Sequence, residues 1–315
     1  MKIVPDLVLF LLVLAPGRAF LVTKNVPCAA VKKSRCPCPL AMATTARPRA
    51  PPTSKGAKAV PKSPRARELG REGTQGVDRS PLRKSLDTTL SMFTILCTGL
   101  IFRLLLAGLN RVECRNREVL LDAVLNRGGA QGLLTVSNHV SVYDDPGLWA
   151  AIIPFWRTGV EKMRWSLCTD DIYFSNKRLS SVLKAGKTLP IKRRLGMEQR
   201  YLQDFFNKLE AGDWGHIFAE GAIRQPWRFG HGKPLLGDFK VGIGRILLRS
   251  KNPPMVLPMY HIGLHQVAPE TPVPKGSRGK LVNMLPNVGR RICVYVGEPV
   301  DVSPIVDKWK ASKTP

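Results

Sequence analysis

From residue 114 onwards the chain alternates between two hydrophobic rhythms. One repeats every three to four residues, as on one face of a helix, and the other is a short unbroken apolar run, as in a strand buried on both sides. "REVLLDAVLNRGG" (117–129) carries the first rhythm and stops on glycine, whereas "GLLTVSNH" (132–139) carries the second. "MEQRYLQDFFNKLEAG" (197–212) predicts a helix with Met197, Tyr201, Phe205 and Leu209 on one face and Gly212 as its stop. "DWGHIFAEG" (213–221), "PMVLPMYHIG" (254–263) and "RICVYVGEPV" (291–300) read as strands, and "VGIGRILLRSK" (241–251) as a helix. Strands separated by helices predict an α/β layer fold with a mostly parallel central sheet flanked by helices.

The amino-terminal part follows other rules. Residues 1–20 begin with Lys2, run through "LVLFLLVLA" (7–15) and reach small residues, the pattern of a secretory signal peptide. From residue 7 to residue 67 there is no Asp or Glu, and the stretch is rich in Ala, Pro, Ser, Thr, Lys and Arg, as in an organelle transit segment. The combination resembles the bipartite leaders of plastid proteins; a disordered basic tail accounts for it equally well. Residues 1–85 are therefore expected to lie outside the fold. The apolar run "LSMFTILCTGLIFRLLLAG" (90–108) is interrupted by Arg103. The dozen or so clean residues before it are fewer than the roughly 20 a spanning helix needs. An interfacial or re-entrant helix is expected over 86–112, with Arg103 reaching headgroups and a buried core helix as the alternative. The folded α/β body is then expected over 113–305, and 306–315 as a basic tail.

Charge and cysteine usage narrow the partners. A net charge of +26 calls for an anionic surface, either lipid or nucleic acid. Aromatic residues amount to 7% and nowhere interleave with basic ones as on a single-strand stacking platform, which favours the membrane. The seven cysteines show no zinc-ligand spacing and no disulfide framework.

Candidate chemistry concentrates in "SNHVSVYDDP" (137–146), behind a predicted strand and ahead of "DDPGLWAAI" (144–152), which has the start signals of a helix. Functional residues of α/β sheets gather at such strand ends. Through a bend, the His139 imidazole and the Asp144 carboxylate can meet, the acid orienting the ring while the free nitrogen takes a proton from a hydroxyl. The plain alternative is that Asp144 caps the helix and His139 is a loop residue. "GKTLPIKRR" (186–194) offers Lys187, Lys192, Arg193 and Arg194 as a phosphate clamp or as a solvated charge run. Glu220, in "HIFAEG" (216–221), can accept bonds from ligand hydroxyls or cap the next segment. "GIG" (242–244) reads as helix packing, and "HIGLH" (261–265) lacks the glutamate of a zinc-protease pair.

Taken together, "NREVL", "TVSNHVSVYDDPGLW", "MRWSLCTDDIYF", "GDWGHIFAEG", "FKVGIGRIL", "LPMYHIG" and "VYVGEPV", in that order, resemble the glycerolipid acyltransferase superfamily. Within it they look like the tafazzin family of phospholipid–lysophospholipid transacylases, which remodel cardiolipin. The resemblance covers about residues 116–300 and implies a membrane enzyme with His139 as general base and Asp144 as its partner. It implies support from Asn138 and Asp145, a phosphate contact at Arg193, substrate contacts at Glu220 and Gly221, and Pro258 near the acyl site. It implies no coenzyme and no metal, and mitochondrial membranes where the leader suggests a secretory or plastid route. Its partners are phospholipids, lysophospholipids and an anionic membrane surface, without nucleic acid. Two positions depart from the pattern: Ala219 stands where the family usually has proline, and Ala222 where it often has a basic residue. The link "RQPWRFGHGKPLLGD" (224–238) also looks longer than usual. These departures bear on headgroup recognition. An acyl-coenzyme A-dependent acyltransferase is the nearest alternative, and a non-catalytic membrane-binding protein a more distant one.

Overall fold

Two-sided burial organises the sheet. In β2 (Leu133–Ser137) neighbouring residues point to opposite faces and both faces are covered, so Leu133 joins one apolar cluster and Leu134 the other. A computed structural model gives this architecture; it describes residues 81–170, 174, 177–192, 195–196, 198–225, 236–240, 242–271, 281–282 and 286–312. The other principal strands are β1 (Arg111–Arg115), β3 (Trp165–Thr169), β4 (Thr188–Ile191), β5 (Trp214–Phe218), β6 (Met255–Ile262) and β9 (Arg291–Val296). They form a seven-stranded sheet in the order β1-β9-β6-β2-β5-β3-β4, parallel at every junction except β6–β9. Two-residue strands β7 (Glu270–Thr271) and β8 (Leu281–Val282) pair separately. The expected mostly parallel sheet with flanking helices is the architecture found.

Helices cover both faces: α2 (Arg117–Leu125), α3 (Asp144–Ile152), α4 (Phe155–Thr158), α5 (Lys177–Ala185), α6 (Arg200–Glu210), α7 (Gly242–Arg249), the single turn α8 (Leu264–Val267) and α9 (Ser303–Ala311). The first cluster joins Leu120, Trp149, Trp214, Leu257 and Val294, and Trp149 meets Trp214 edge to face at 5.0 Å. Such an aromatic pair contributes about 0.5–1.5 kcal/mol beyond its buried area. On the second face α6 buries Leu202, Phe205, Phe206 and Leu209. This differs from the expected stripe: Tyr201 is exposed, and Met197 lies outside the described residues. Gly212 ends that helix with φ +89, and a side chain there would run into the carbonyl of Gly129. Gly244, by contrast, faces open space, so close helix packing is not its role. Residues 303–311, partly assigned to a basic tail from sequence, form α9 with Val306 buried.

The amino-terminal apolar helix is longer than the sequence reading allowed. α1 (Pro81–Arg103) continues without a break into a π-helical segment, Leu104–Gly108. The stretch Ser85–Gly108 is thereby long and apolar enough to cross a membrane. Arg103 does not interrupt it. Its guanidinium donates to the Ala150 carbonyl at 3.2 Å and lies over the Trp156 ring, so it reaches into the domain rather than towards headgroups. One face of this helix, with Thr94, Ile95, Phe102 and Leu106, packs on the body, chiefly against α3 and α5. The opposite face exposes Leu86, Leu90, Phe93, Leu96, Leu100 and Leu104 at helical spacing.

Candidate active site

Three parallel neighbours, β2, β5 and β6, end together, and their carboxyl ends deliver Asn138–His139, Phe218–Glu220 and His261. Sequence separations of 80 residues and more thus become contacts. His139 Nδ1 lies 2.8 Å from Asp144 Oδ2. The same oxygen accepts the backbone N–H groups of Val140 at 2.7 Å and Ser141 at 2.9 Å. These donors belong to the loop before α3, so Asp144 organises the turn that carries His139 and does not cap its own helix. Asp144 is fully buried, whereas the His139 side chain keeps 19% of its surface exposed. With Nδ1 committed to the carboxylate, the ring turns its Nε2 edge to a partner from outside.

The backbone of His139 is clamped on both sides. Its N–H donates to Glu220 Oε2 at 2.9 Å, and its carbonyl accepts from the Arg224 N–H at 2.7 Å. The other Glu220 oxygen accepts the Gly237 N–H and pairs with the Arg224 guanidinium at 3.4 Å. Glu220 is fully buried, so its carboxylate serves this loop. Gly221 turns the chain at φ +63, and a side chain there would meet that of Lys240. Buried Gln225 extends the clamp by donating to the carbonyls of Val140 and Ala268 and accepting from the Glu270 N–H. Asn138 is buried and bonds both ways with the main chain of His261.

Asp145 takes a different path from its neighbour. Its backbone is extended (φ −124, ψ 120), a cis peptide joins it to Pro146, and its carboxylate pairs with buried Arg164, whose Nε is at 2.8 Å. Burial pushes the Asp145 carboxyl up, but the Arg164 guanidinium, with hydrogen bonds from Arg164 and Ser166, outweighs it and holds it below the usual carboxylate range. Arg164 also donates to the Gly186 carbonyl, tying β3 to the strand that follows.

An aromatic series backs the histidine. Phe218 stacks on the His139 ring at 3.9 Å with 10° between planes. The His216 ring meets Phe218 edge to face at 4.5 Å, and Trp149 lies behind it at 4.7 Å. His216 Nδ1 is 2.9 Å from Thr135 Oγ1. Burial lowers the His216 pKa to about 3, so the ring beneath the site is neutral.

The remaining sequence candidates separate. Pro258 lies in β6 opposite Val136; it is exposed, and alternation puts it on the face of the strand away from His261. Lys187 is buried with φ 60 and donates to the carbonyls of Glu161 and Met163, far from a phosphate-clamp role. Lys192 lies 3.8 Å from Asp170, and Arg193 and Arg194 lie outside the described residues. An open groove of about 700 Å³, lined by Glu118, Asp122, Arg127, Gln131 and Glu298 among others, includes none of the His139 constellation. Phe218, His261, Arg164 and Gln225 all lie inside stretches quoted above for other reasons, and none was a site candidate; the partners of Arg164 and Gln225 are 19 and more residues away.

The acyltransferase family profile matches residues 111–262, which run from the first residue of β1 to the last of β6. Tafazzin of Drosophila melanogaster is 32% identical over 229 residues, covering 72% of this chain and 55% of its own length. N-acylphosphatidylethanolamine synthase of Arabidopsis thaliana is 33% identical over 192 residues, covering 61% of this chain and 64% of its own. Tafazzin of Saccharomyces cerevisiae is 27% identical over 282 residues, covering 79% and 72%. The chain therefore spans little more than half of the fly protein and under two thirds of the plant one. With its acyltransferase match bounded by the strands that carry the His139 site, the chain is similar to tafazzins over most of its own length.

Proposed function

We propose that the protein exchanges acyl chains between phospholipids and lysophospholipids at a membrane surface, with monolysocardiolipin and cardiolipin as the substrate pair. The observation that carries this reading is the His139–Asp144 contact at 2.8 Å, at the strand ends of a chain whose relatives include tafazzins. His139 Nε2 removes the proton of the free glycerol hydroxyl of a lysolipid as that oxygen attacks the ester carbonyl of a donor phospholipid. The tetrahedral intermediate collapses, the donor's glycerol oxygen leaves, and it takes the proton back from Nε2. One ester is made and one is broken, so no thioester is consumed. Ionised Asp144 stabilises the transient imidazolium and keeps the neutral ring as its Nδ1–H tautomer. Asn138, Glu220 and Gly221 contribute by fixing the loop around the base; Arg193 contacts the lipid phosphate and Pro258 borders the acyl chain, both by family resemblance.

The exposed leucine and phenylalanine stripe of α1 supports a membrane attachment that lies in the interface. The inner face of this helix is packed on the body, and crossing the bilayer would carry the charged residues of α5, Lys177, Arg178 and Lys184, towards hydrocarbon. The net positive charge favours anionic lipid, and mitochondrial membranes are the proposed location.

The test is donor identity. Purified protein is incubated with labelled lysophospholipid and phospholipid rigorously free of coenzyme A, and the products are analysed. Acyl transfer to the lysolipid hydroxyl is expected; transfer only on addition of acyl-coenzyme A would replace this reading by the thioester-dependent one. The name of the Arabidopsis relative makes an amide product worth resolving, and its formation on an ethanolamine headgroup would redefine the acceptor.

A further inference from the structure

His261 lies directly behind the base and its acid, yet the reaction above gives it no part. β2 and β6 pair side by side as far as Val136 and Pro258. Beyond that register, residues 138 and 261 are joined by three hydrogen bonds. Asn138 Nδ2 donates to the His261 carbonyl at 2.8 Å, and Asn138 Oδ1 accepts the His261 N–H at 2.9 Å. The His261 ring closes the set, with Nε2 2.9 Å from the Asn138 carbonyl. Because a carbonyl only accepts, Nε2 must carry the proton. That same N–H lies 3.7 Å from Asp144 Oδ2, the oxygen that holds His139. Both side chains are fully buried.

We infer that His261 is a positioning residue for the His139–Asp144 pair: its Nε2–H fixes the peptide just before His139 and presents a positive dipole to the Asp144 carboxylate. This rests on the acyl-transfer reading for its catalytic consequence, but its effect on the His139 ring does not. The peptide that carries the Asn138 carbonyl also supplies the N–H of His139, which Glu220 holds from the other side. A rotation of that peptide would swing the imidazole away from Asp144. The ring of His261 must stay neutral to leave Asp144 to a single cationic partner, and burial, which lowers its pKa, favours that state. His265, four residues on, has its pKa lowered chiefly by burial as well, so it adds no second charge to this side of the carboxylate.

Three substitutions separate positioning from mere packing. The amide nitrogen of glutamine can stand at Nε2, whereas that of asparagine is too short and leucine has no donor. Histidine-labelled protein is read by long-range nitrogen NMR without substrate, and steady-state kinetics are run on the same preparations. His139 is expected as one Nδ1–H tautomer in the wild type and in His261→Gln, and as a tautomer mixture in His261→Asn and His261→Leu. In the latter two kcat is expected to fall by about tenfold or more with KM within about twofold, while His261→Gln stays within about threefold. Should the leucine variant fail to fold, the glutamine and asparagine pair, both polar, decides alone. Equal behaviour of these two, in tautomer and in kcat, would overturn the inference. If the wild type transfers no acyl chain, the acyl-transfer reading fails while the tautomer comparison still decides the role of His261.

Discussion

Two imidazoles of the site, His216 and His261, are wholly buried, and burial keeps both neutral. For His216 the folded value of about 3 lies well below the usual histidine range. Above about pH 6.5 neither the folded nor the unfolded chain protonates this residue. As pH falls below that value the unfolded chain binds a proton that the folded chain refuses, so stability drops. It continues to drop until the folded value near 3 is reached, by about 1.4 kcal/mol per unit. Denaturant titrations at pH 7 and pH 5 should therefore show a loss about 2 kcal/mol larger in wild type than in His216→Gln. Equal losses would mean that His216 is hydrated or paired in the native state. At this scale the sequence disclosed residue types better than their partners. Its spacing left Asp144 either as the partner of His139 or as a helix cap, and only the resemblance favoured the pair. Asp145 turns its carboxylate to Arg164 from an extended backbone, and no local pattern announces an arginine 19 positions away. Glu220 looked like a ligand group because it follows a strand end; the bonds that occupy it come from His139, Gly237 and Arg224.

Among the elements, α1 is where the outward and inward faces matter most. A hydropathy run broken by one arginine looked too short to cross a bilayer, because nothing in the run itself told that Ala150 and Trp156 would receive the guanidinium. Its period was legible all the same, since residues 86, 90, 93, 96, 100 and 104 fall on one stripe. Replacing Leu86, Leu100 and Leu104 together by glutamine should weaken binding to cardiolipin-containing vesicles by more than about tenfold, since each buried leucine is worth about 1.5–3 kcal/mol. The circular dichroism and thermal midpoint should stay put, because these side chains are exposed and do not pack on the body. Unchanged sedimentation with vesicles would remove α1 as the attachment. The strands β2, β5, β6 and β9 were legible as apolar runs, but their pairing was not. The insertion of β9 between β1 and β6, antiparallel to the latter, joins residues some 180 positions apart.

For the whole molecule, the sheet order explains why one polar stretch of sequence becomes a site. Parallel pairing brings the carboxyl ends of β2, β5 and β6 to one edge, and the loops that leave them hold His139 from its main chain, its ring face and its Nδ1. In the proposed reaction, lipid is brought to the partly exposed His139 ring by the apolar stripe of α1 and by the net positive charge. The proposed acyl exchange would have the membrane deliver both substrates and the base move one proton out and back. The most direct test is acyl exchange between labelled lysocardiolipin and phosphatidylcholine in vesicles free of coenzyme A, wild type against His139→Ala, with vesicle binding measured on the same samples. Exchange by the wild type, and its loss by about three orders of magnitude or more in His139→Ala at unchanged vesicle binding, is the expected result. Equal exchange by both proteins would contradict the account.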